Sequence, residues 1–194
     1  MLCSFILATM VVGGAGAQVE PFEPIVIPSN ESPSTSGRYD LEDTSIDIDD
    51  SGVNNFSMSG YYDYGENRGM VTIDPAAGTQ FAGEPLLAGN AAVLFEPGAV
   101  IDDDHTYNNL VFMFNRNAAS SVDNYNGFFN QRGFIGVRID GDSEPRYACL
   151  QAEIIARGEL SVEMRGGLYA TVDEQPVTCP EFADGIHVDR FRSE

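Results

Sequence analysis

Short runs of apolar, β-branched and aromatic residues, separated by Gly, Asn and Asp, follow one another from residue 38 onward. In some runs apolar and polar residues alternate, as in the TSIDID segment at residues 44–49. Alternation places the apolar side chains on one face of a strand, and Gly, Asn and Asp are typical of the turns between strands. Strands are therefore predicted at residues 44–49, 56–64, 70–73, 91–95, 110–114, 128–139, 147–155, 160–164 and 167–172.

Helical periodicity is weak throughout the sequence. No window of a dozen residues carries the i, i+3, i+4, i+7 spacing of an amphipathic helix, although residues 90–95 and 147–156 could each form a helical turn or two. About eight to ten short strands separated by turns are typical of two-layer antiparallel folds. The sequence therefore predicts an all-β protein, an antiparallel β-sandwich or jelly roll, with its main domain at residues 38–179.

The first seventeen residues, MLCSFILATMVVGGAGA, have the pattern of a secretory signal peptide. An apolar run from Leu2 to Val12 precedes the small residues Ala15, Gly16 and Ala17, which match a cleavage site. No Lys or Arg precedes the run, so a buried N-terminal strand is the alternative. We interpret residues 1–17 as a signal peptide and expect a secreted or cell-surface protein. A periplasmic location is the alternative.

Proline and serine are frequent in the next segment, residues 18–37. Pro21, Pro24, Pro28 and Pro33 prevent a helix, because proline lacks the backbone N–H and clashes with the preceding turn. An extended leader or linker is predicted here, and its PIVIP segment could add one edge strand. The last fifteen residues, 180–194, are polar and acidic, and we interpret them as a tail or, at residues 185–188, as an edge strand.

Acidic residues outnumber basic ones by 30 to 10, which gives a formal net charge of −20, and every basic residue is Arg. Nucleic acids and anionic lipids bind cationic surfaces, so neither is expected as a partner. No second long apolar segment follows the predicted signal, so no membrane span is expected after its cleavage. Extracellular polysaccharide, a surface or matrix protein, or another copy of the chain is the expected partner.

Cleavage of the predicted signal would remove Cys3 and leave Cys149 and Cys179. Two cysteines in an exported chain could form one disulfide. That bond would close a loop of about 30 residues and contribute roughly 3 kcal/mol in the chain-entropy model. The alternative is a buried free thiol at Cys149 and a second free thiol at Cys179.

The segment DIDDSGVNNF at residues 47–56 places oxygen-bearing residues at a spacing suited to a hard cation. Calcium takes about six to eight oxygen ligands from carboxylates, carbonyls and amides. Gly52 permits a sharp turn, whereas Met58 stands where an EF-hand would require a bidentate Glu. An acidic turn between two strands is the alternative. The predicted calcium ligands are Asp47, Asp49, Ser51, Val53 through its carbonyl, and Asn55.

The same segment resembles the Asp-Leu-Asp-Gly-Asp-Gly-x-x-Asp-Phe opening of a family of secreted bacterial β-domains, which often carry PEP-CTERM or other variable C-terminal sorting anchors. Two later parts match in order: AAVLFEPGAVI at residues 91–101, and residues 133–171, which include GFIGVRI, YACL and GLYAT. Ala148 and Cys149 replace a Gly-Trp pair of that family. The resemblance covers residues 39–177 and implies an exported β-sandwich of unassigned biochemical role, without catalytic residues to transfer.

Two further features carry candidate chemistry. Asp102, Asp103, Asp104 and His105 form the densest charge cluster, which could hold a cation or supply an acid and a base. Consecutive residues of a strand alternate between faces, so a solvated turn is the preferred interpretation. Clustered aromatic residues offer a sugar-stacking surface, with burial in the core as the alternative. They are Tyr61, Tyr62, Tyr64, Tyr107, Tyr125, Phe128 and Phe129.

No nucleophile elbow, HExxH motif, phosphate loop or dinucleotide fingerprint occurs in the sequence, and we do not expect an enzyme. The expected function is that of an exported, non-catalytic β-sandwich protein with a structural, cell-surface or matrix-interaction role. A calcium-assisted carbohydrate-binding module is the alternative, and a glycan hydrolase is a third interpretation.

Overall fold

The computed structural model describes residues 19–22, 24–32, 37–86, 89–117, 120–140, 144–171 and 174–182. The predicted signal peptide, the strand predicted at residues 185–188 and most of the predicted tail lie outside the described residues. Within these ranges the chain forms seventeen strands and no helix, and hence no helix that could cross a membrane.

The strands are mostly short and closely spaced, which confirms the predicted all-β class. Glycines with a positive φ, among them Gly78 and Gly158, occupy several of the turns between strands. The strands are β1 (Val19–Phe22), β2 (Ile25–Ile27), β3 (Ser29–Glu31), β4 (Arg38–Leu41), β5 (Thr44–Ile46), β6 (Phe56–Asp63), β7 (Arg68–Pro75), β8 (Thr79–Leu86), β9 (Gly89–Ala92), β10 (Val100–Ile101), β11 (Tyr107–Asn108), β12 (Val111–Asn117), β13 (Ser120–Tyr125), β14 (Arg132–Ile139), β15 (Arg146–Ala156), β16 (Leu160–Ala170) and β17 (Val177–Thr178).

Fifteen of these strands form a single mixed sheet. Its main path runs β1-β16-β15-β14-β8-β9-β12-β7-β6-β4-β3, with β2 on β16, β5 on β6, β11 on β8 and β13 on β12. β9 and β12 pair in parallel, and β10 and β17 form a separate antiparallel pair. An antiparallel β-sandwich or jelly roll, the finer part of the fold prediction, stays a prediction.

β8 joins the two halves of the large sheet. Its first three residues pair with β14, and its last four pair with β9. One half therefore contains β14, β15 and β16, and the other contains β6, β7 and β12. The Phe56 ring of β6 meets the Phe81 ring of β8 edge-on, with centroids 5.1 Å apart.

One hydrophobic core contains buried side chains from both halves of the sheet. Complete burial of such a side chain contributes roughly 1.5–3 kcal/mol relative to exposure. The core therefore holds the two halves together. Its fully buried members include Phe56, Met58, Val71, Ile73, Phe81, Met113, Phe114, Ile135, Val137, Leu150, Ile154 and Val162.

β15 is buried on both faces, which explains its nearly continuous apolar sequence. Ala148 and Leu150 pack in the main core, whereas Tyr147 and Cys149 belong to a second buried cluster. We call this cluster, together with β10 and β17, the second layer. Its buried members are Ile101, Phe134, Tyr147, Cys149, Ala170, Val177 and Cys179.

A disulfide fixes the second layer to the large sheet. Cys149 of β15 and Cys179, which follows β17, are bonded across 30 residues of sequence, with their Cα atoms 5.5 Å apart. The backbone is joined at the same place, because the N–H of Cys179 donates to the carbonyl of Ala99 at 2.8 Å.

Residues 24–32, which we call the strap, lie inside the predicted leader but belong to the sheet. β2 pairs with β16, placing Ile27 opposite Val162, and β3 pairs with β4. The strap therefore runs from one end of the main path to the other. Ile27 is completely buried, so this segment contributes to the core as well as to the sheet. The edge strand predicted for PIVIP is present as β2.

Several strands differ from the sequence-based prediction. The strands that were not predicted are β1, β3, β4, β8, β10, β11, β13 and β17. The helical alternatives at residues 90–95 and 147–156 are wrong, since β9 and β15 occupy those places. Sheet pairing overrides the weak helical periodicity there, because every described backbone group of β15 lies beside β14 or β16.

Candidate functional site

The loop between β5 and β6 contains all five predicted calcium ligands. Asp47 closes this loop, because its Oδ1 accepts the N–H of Ser51 at 3.2 Å and its Oδ2 accepts the N–H of Gly52 at 2.7 Å. Asp50 and Gly52 both have a positive φ, as expected for a tight turn. Both oxygens of Asp47 therefore already bind backbone donors.

Asp49 turns away from solvent and pairs with an arginine. Its Oδ2 accepts a hydrogen bond from Nη2 of Arg146 at 3.0 Å, and its side chain is 5% exposed. Burial raises the pKa of Asp49, but the neighbouring Ser51 and the charge and hydrogen bond of Arg146 outweigh it and lower the pKa overall. The Asp49 carboxylate is thus ionised, with a guanidinium as its neighbour.

The other predicted ligands also bind within the loop. Asn55 is 7% exposed, and its Oδ1 accepts the N–H of Ile48 at 2.7 Å. The Ser51 hydroxyl lies 3.4 Å from the Val53 carbonyl oxygen. In the part of the chain that the structure describes, no three acidic, His or Cys side chains converge as a metal-binding group. Calcium binding by this loop stays a prediction.

The Asp102–His105 cluster forms a turn after β10. Asp102 Oδ1 accepts the N–H of Asp104 at 3.1 Å, and Nε2 of His105 lies 2.8 Å from the carbonyl oxygen of Val100. The His105 ring packs against Phe95, with centroids 4.9 Å apart. His105 is therefore engaged with a backbone carbonyl and an aromatic ring.

The predicted tyrosine cluster is divided between the two faces of the sheet. Tyr62 is buried, and its ring contacts those of Tyr64 at 4.7 Å and Phe129 at 5.2 Å between centroids. Tyr61 faces the other way and lies under the guanidinium of Arg38, 4.2 Å from it. Tyr61, Tyr62 and Tyr64 therefore do not form one flat surface on which a sugar ring could stack.

The other predicted aromatics are fully or partly buried. Phe128 is fully buried, and the Tyr125 hydroxyl donates to the carbonyl of Ala92. Burial raises the pKa of Tyr125 to about 12. The Tyr107 hydroxyl donates to the Asp102 carbonyl at 2.6 Å. These residues mainly stabilise the fold.

Two adjoining concavities share Arg138, and we call them together the Arg138 groove. The first, the amide arm, measures about 440 Å³ and the second, the acidic arm, about 590 Å³. The amide arm is lined by residues 74–80, Asn109 and Asp140. The acidic arm is lined by Asp102, Asp103, Glu144, Pro145, Tyr147, Glu174 and Pro176.

Arg138 lies at the centre of the groove in a network of polar side chains. Its Nη1 donates to Oε1 of Gln80 at 2.7 Å, and Nε2 of Gln80 donates to Oδ1 of Asn109 at 3.0 Å. Nη1 also lies 3.5 Å from Oδ1 of Asp140. Arg138 stands opposite Tyr147 of β15, and burial raises the pKa of Tyr147, so its phenol stays neutral.

The acidic arm is assembled from separate segments that hydrogen bonds and the disulfide hold in place. The N–H of Glu174 donates to the carbonyl of Pro145 at 2.7 Å, which joins two of its walls. Tyr147 precedes Cys149 by two residues in β15, and Pro176 precedes Cys179 by three. The bond between these cysteines therefore anchors the wall that carries Glu174.

Fold and site together define an all-β protein with a disulfide-anchored second layer and an acidic groove. Neither a protein-family model, a curated protein nor a solved structure matches this chain. What the protein does must therefore be inferred from its own residues. The sequence does not predict this groove. Of its lining residues, only Asp102 and Asp103 belong to a charge cluster that can be recognised in the sequence.

Proposed function

We propose that this chain is an exported, non-catalytic β-sandwich protein with a structural, cell-surface or matrix-interaction role. The disulfide between Cys149 and Cys179 is the observation that carries this proposal. Disulfides persist in oxidising compartments outside the cytosol. The signal-like pattern of residues 1–17 agrees with the same address.

The two halves of the sheet support the sandwich part of the proposal. β14, β15 and β16 contribute to the same core as β6, β7 and β12, as the inner faces of two packed sheets do. β8 passes from one half to the other, which is how strands form the corners of such folds. The resemblance to secreted bacterial β-domains implies the same architecture.

The surface chemistry supports a role in interaction. A formal net charge of −20 keeps the protein soluble and repels other acidic molecules. The Arg138 groove offers carboxylates, amides, a guanidinium and a phenol, which are groups that recognise polar ligands. We therefore place the interaction surface at this groove.

Expression of the full chain in a Gram-negative host tests the export proposal. We expect a mature protein that begins at Gln18, lies outside the cytoplasm and has no thiol that reacts with maleimide after unfolding. A Leu7→Arg variant, which interrupts the apolar run, is expected to keep the chain in the cytoplasm with reduced cysteines. Cytoplasmic retention of the unaltered chain with free thiols would contradict the proposal.

A calcium-assisted carbohydrate-binding module is the second candidate. Asp49 favours it, because its Oδ1 is buried and has no hydrogen-bond partner in the part of the chain that the structure describes. A calcium ion there would compete with Arg146 and with the backbone donors of the loop. Any binding is therefore expected in the weak extracellular range, about 0.1–1 mM.

Calorimetric titration and thermal melts in calcium and in chelator test the second candidate. Calcium at about a hundred times its Kd would stabilise the fold by about 2.7 kcal/mol, a rise of about 5–10 °C in Tm. The Asp47→Ala/Asp49→Ala variant should lose this response, whereas the exposed pair Asp43→Ala/Glu159→Ala should keep it. No heat and no shift in the unaltered protein would leave the loop as an acidic turn.

A further inference from the structure

The charges lining the Arg138 groove are strongly unbalanced. Its acidic arm carries Asp102, Asp103, Glu144 and Glu174, and its amide arm adds Asp74 and Asp140. Arg138 is the cationic side chain in both linings. An acidic polysaccharide would be repelled here, whereas a ligand with positive charge would be attracted.

The groove also presents hydrogen-bond donors, which a simple cation does not need. The guanidinium of Arg138 and the amides of Gln80 and Asn109 lie side by side in the amide arm. A metal ion binds acceptors alone, and a lone ammonium group brings donors alone. A ligand that uses both arms must therefore carry amines for the carboxylates and oxygen acceptors for the guanidinium and amides.

The size and stiffness of the acidic arm suit a molecule of several rings. Its volume of about 590 Å³ lies within the usual range of small-molecule sites, about 300–1,000 Å³. Pro145 and Pro176 add apolar surface for the carbon face of a ring. The disulfide and the hydrogen bond from Glu174 to Pro145 fix the walls in advance, which reduces the entropy lost on binding.

We propose that the Arg138 groove binds an amine-bearing oligosaccharide of the glucosamine class, with its ammonium groups on the acidic arm and its hydroxyl and ring oxygens on the Arg138–Gln80–Asn109 network. This inference deepens the interaction role proposed above, and it rests on that proposal for the extracellular address. Binding requires no covalent step, and the ligand is retained by charge and hydrogen bonds.

Calorimetric titration of the exported full chain with glucosamine hexamer tests the proposal. N-acetylglucosamine hexamer is the matched probe without positive charge, and oligogalacturonate is the acidic one. We expect the glucosamine hexamer to bind about tenfold or more tightly than the acetylated form, and the affinity to fall as salt rises. Equal binding of the two hexamers would overturn the role of the amines.

Paired variants locate the site. Glu144→Gln/Glu174→Gln should weaken hexamer binding about tenfold, since two partly exposed ion pairs are lost. Glu84→Gln/Glu159→Gln removes the same charge at exposed positions outside the groove and should leave affinity unchanged. Melting curves of both variants verify folding. Equal weakening by both pairs would show a general charge effect and overturn the site.

Two further results would also overturn the inference. If tetralysine displaced the hexamer with equal affinity, the groove would bind cations without selectivity for an amino sugar. Release of new reducing ends from the hexamer would make the protein a hydrolase and contradict the non-catalytic proposal. Absence of hexamer binding would remove the ligand assignment alone, because export and the disulfide are measured separately.

Discussion

Replacement of Ile27 by Ala is expected to lower the free energy of unfolding by about 2–4 kcal/mol. Ile27 is completely buried, although it lies in a segment whose composition indicates a leader. It stands opposite Val162 of β16, so its removal leaves a cavity where the strap meets the core. Urea denaturation followed by tyrosine fluorescence or circular dichroism measures the change.

Val26 provides a control within the same strand. Its side chain is 53% exposed and points to the other face, so Val26→Ala should change the unfolding free energy by less than about 0.5 kcal/mol. Similar small effects of both substitutions would mean that the strap is only a surface linker. Such a result would contradict its placement between β16 and β4.

The Cys149→Ala/Cys179→Ala variant is expected to lose about 3 kcal/mol of stability and about 10 °C in Tm. The bond joins residues 30 apart, and without it the unfolded chain gains conformational freedom. The second layer also loses its covalent link to β15. Calorimetric melting of the oxidised protein and the variant measures the difference.

Reduction of the unaltered protein supplies the matching control. In dithiothreitol its Tm should fall close to that of the double variant, which has no thiol at either position. The variant itself should melt at the same temperature with and without the reductant. A variant as stable as the oxidised protein would show that the second layer is held by packing alone.

Runs of apolar, β-branched and aromatic residues made most of the long strands predictable. β6, β7, β14, β15 and β16 all overlap segments in which apolar, β-branched and aromatic residues dominate. β8 was missed because its sequence, TQFAGEPL, contains residues that favour turns. Gly83 is needed there, since a Cβ atom would lie 3.0 Å from the Ala91 carbonyl oxygen of the neighbouring strand.

The candidate sites were predictable to different degrees. The acidic loop is contiguous, so its spacing could be read from the sequence, but the pairing of Asp49 with Arg146 joins residues 97 apart. The acidic arm of the groove combines segments around residues 102, 138, 144 and 174. These segments come together only in the folded sheet. No local sequence pattern therefore indicates that they line one groove.

The position of the strap has a consequence for the order in which the fold can form. Ile27 pairs with Val162, which lies 135 positions further along the chain. A chain that is synthesised from its N-terminus presents the strap long before β16. Closure of a loop of this length is a slow, non-local step. β2 therefore leaves the ribosome or translocon without its partner and stays unpaired until β16 has followed.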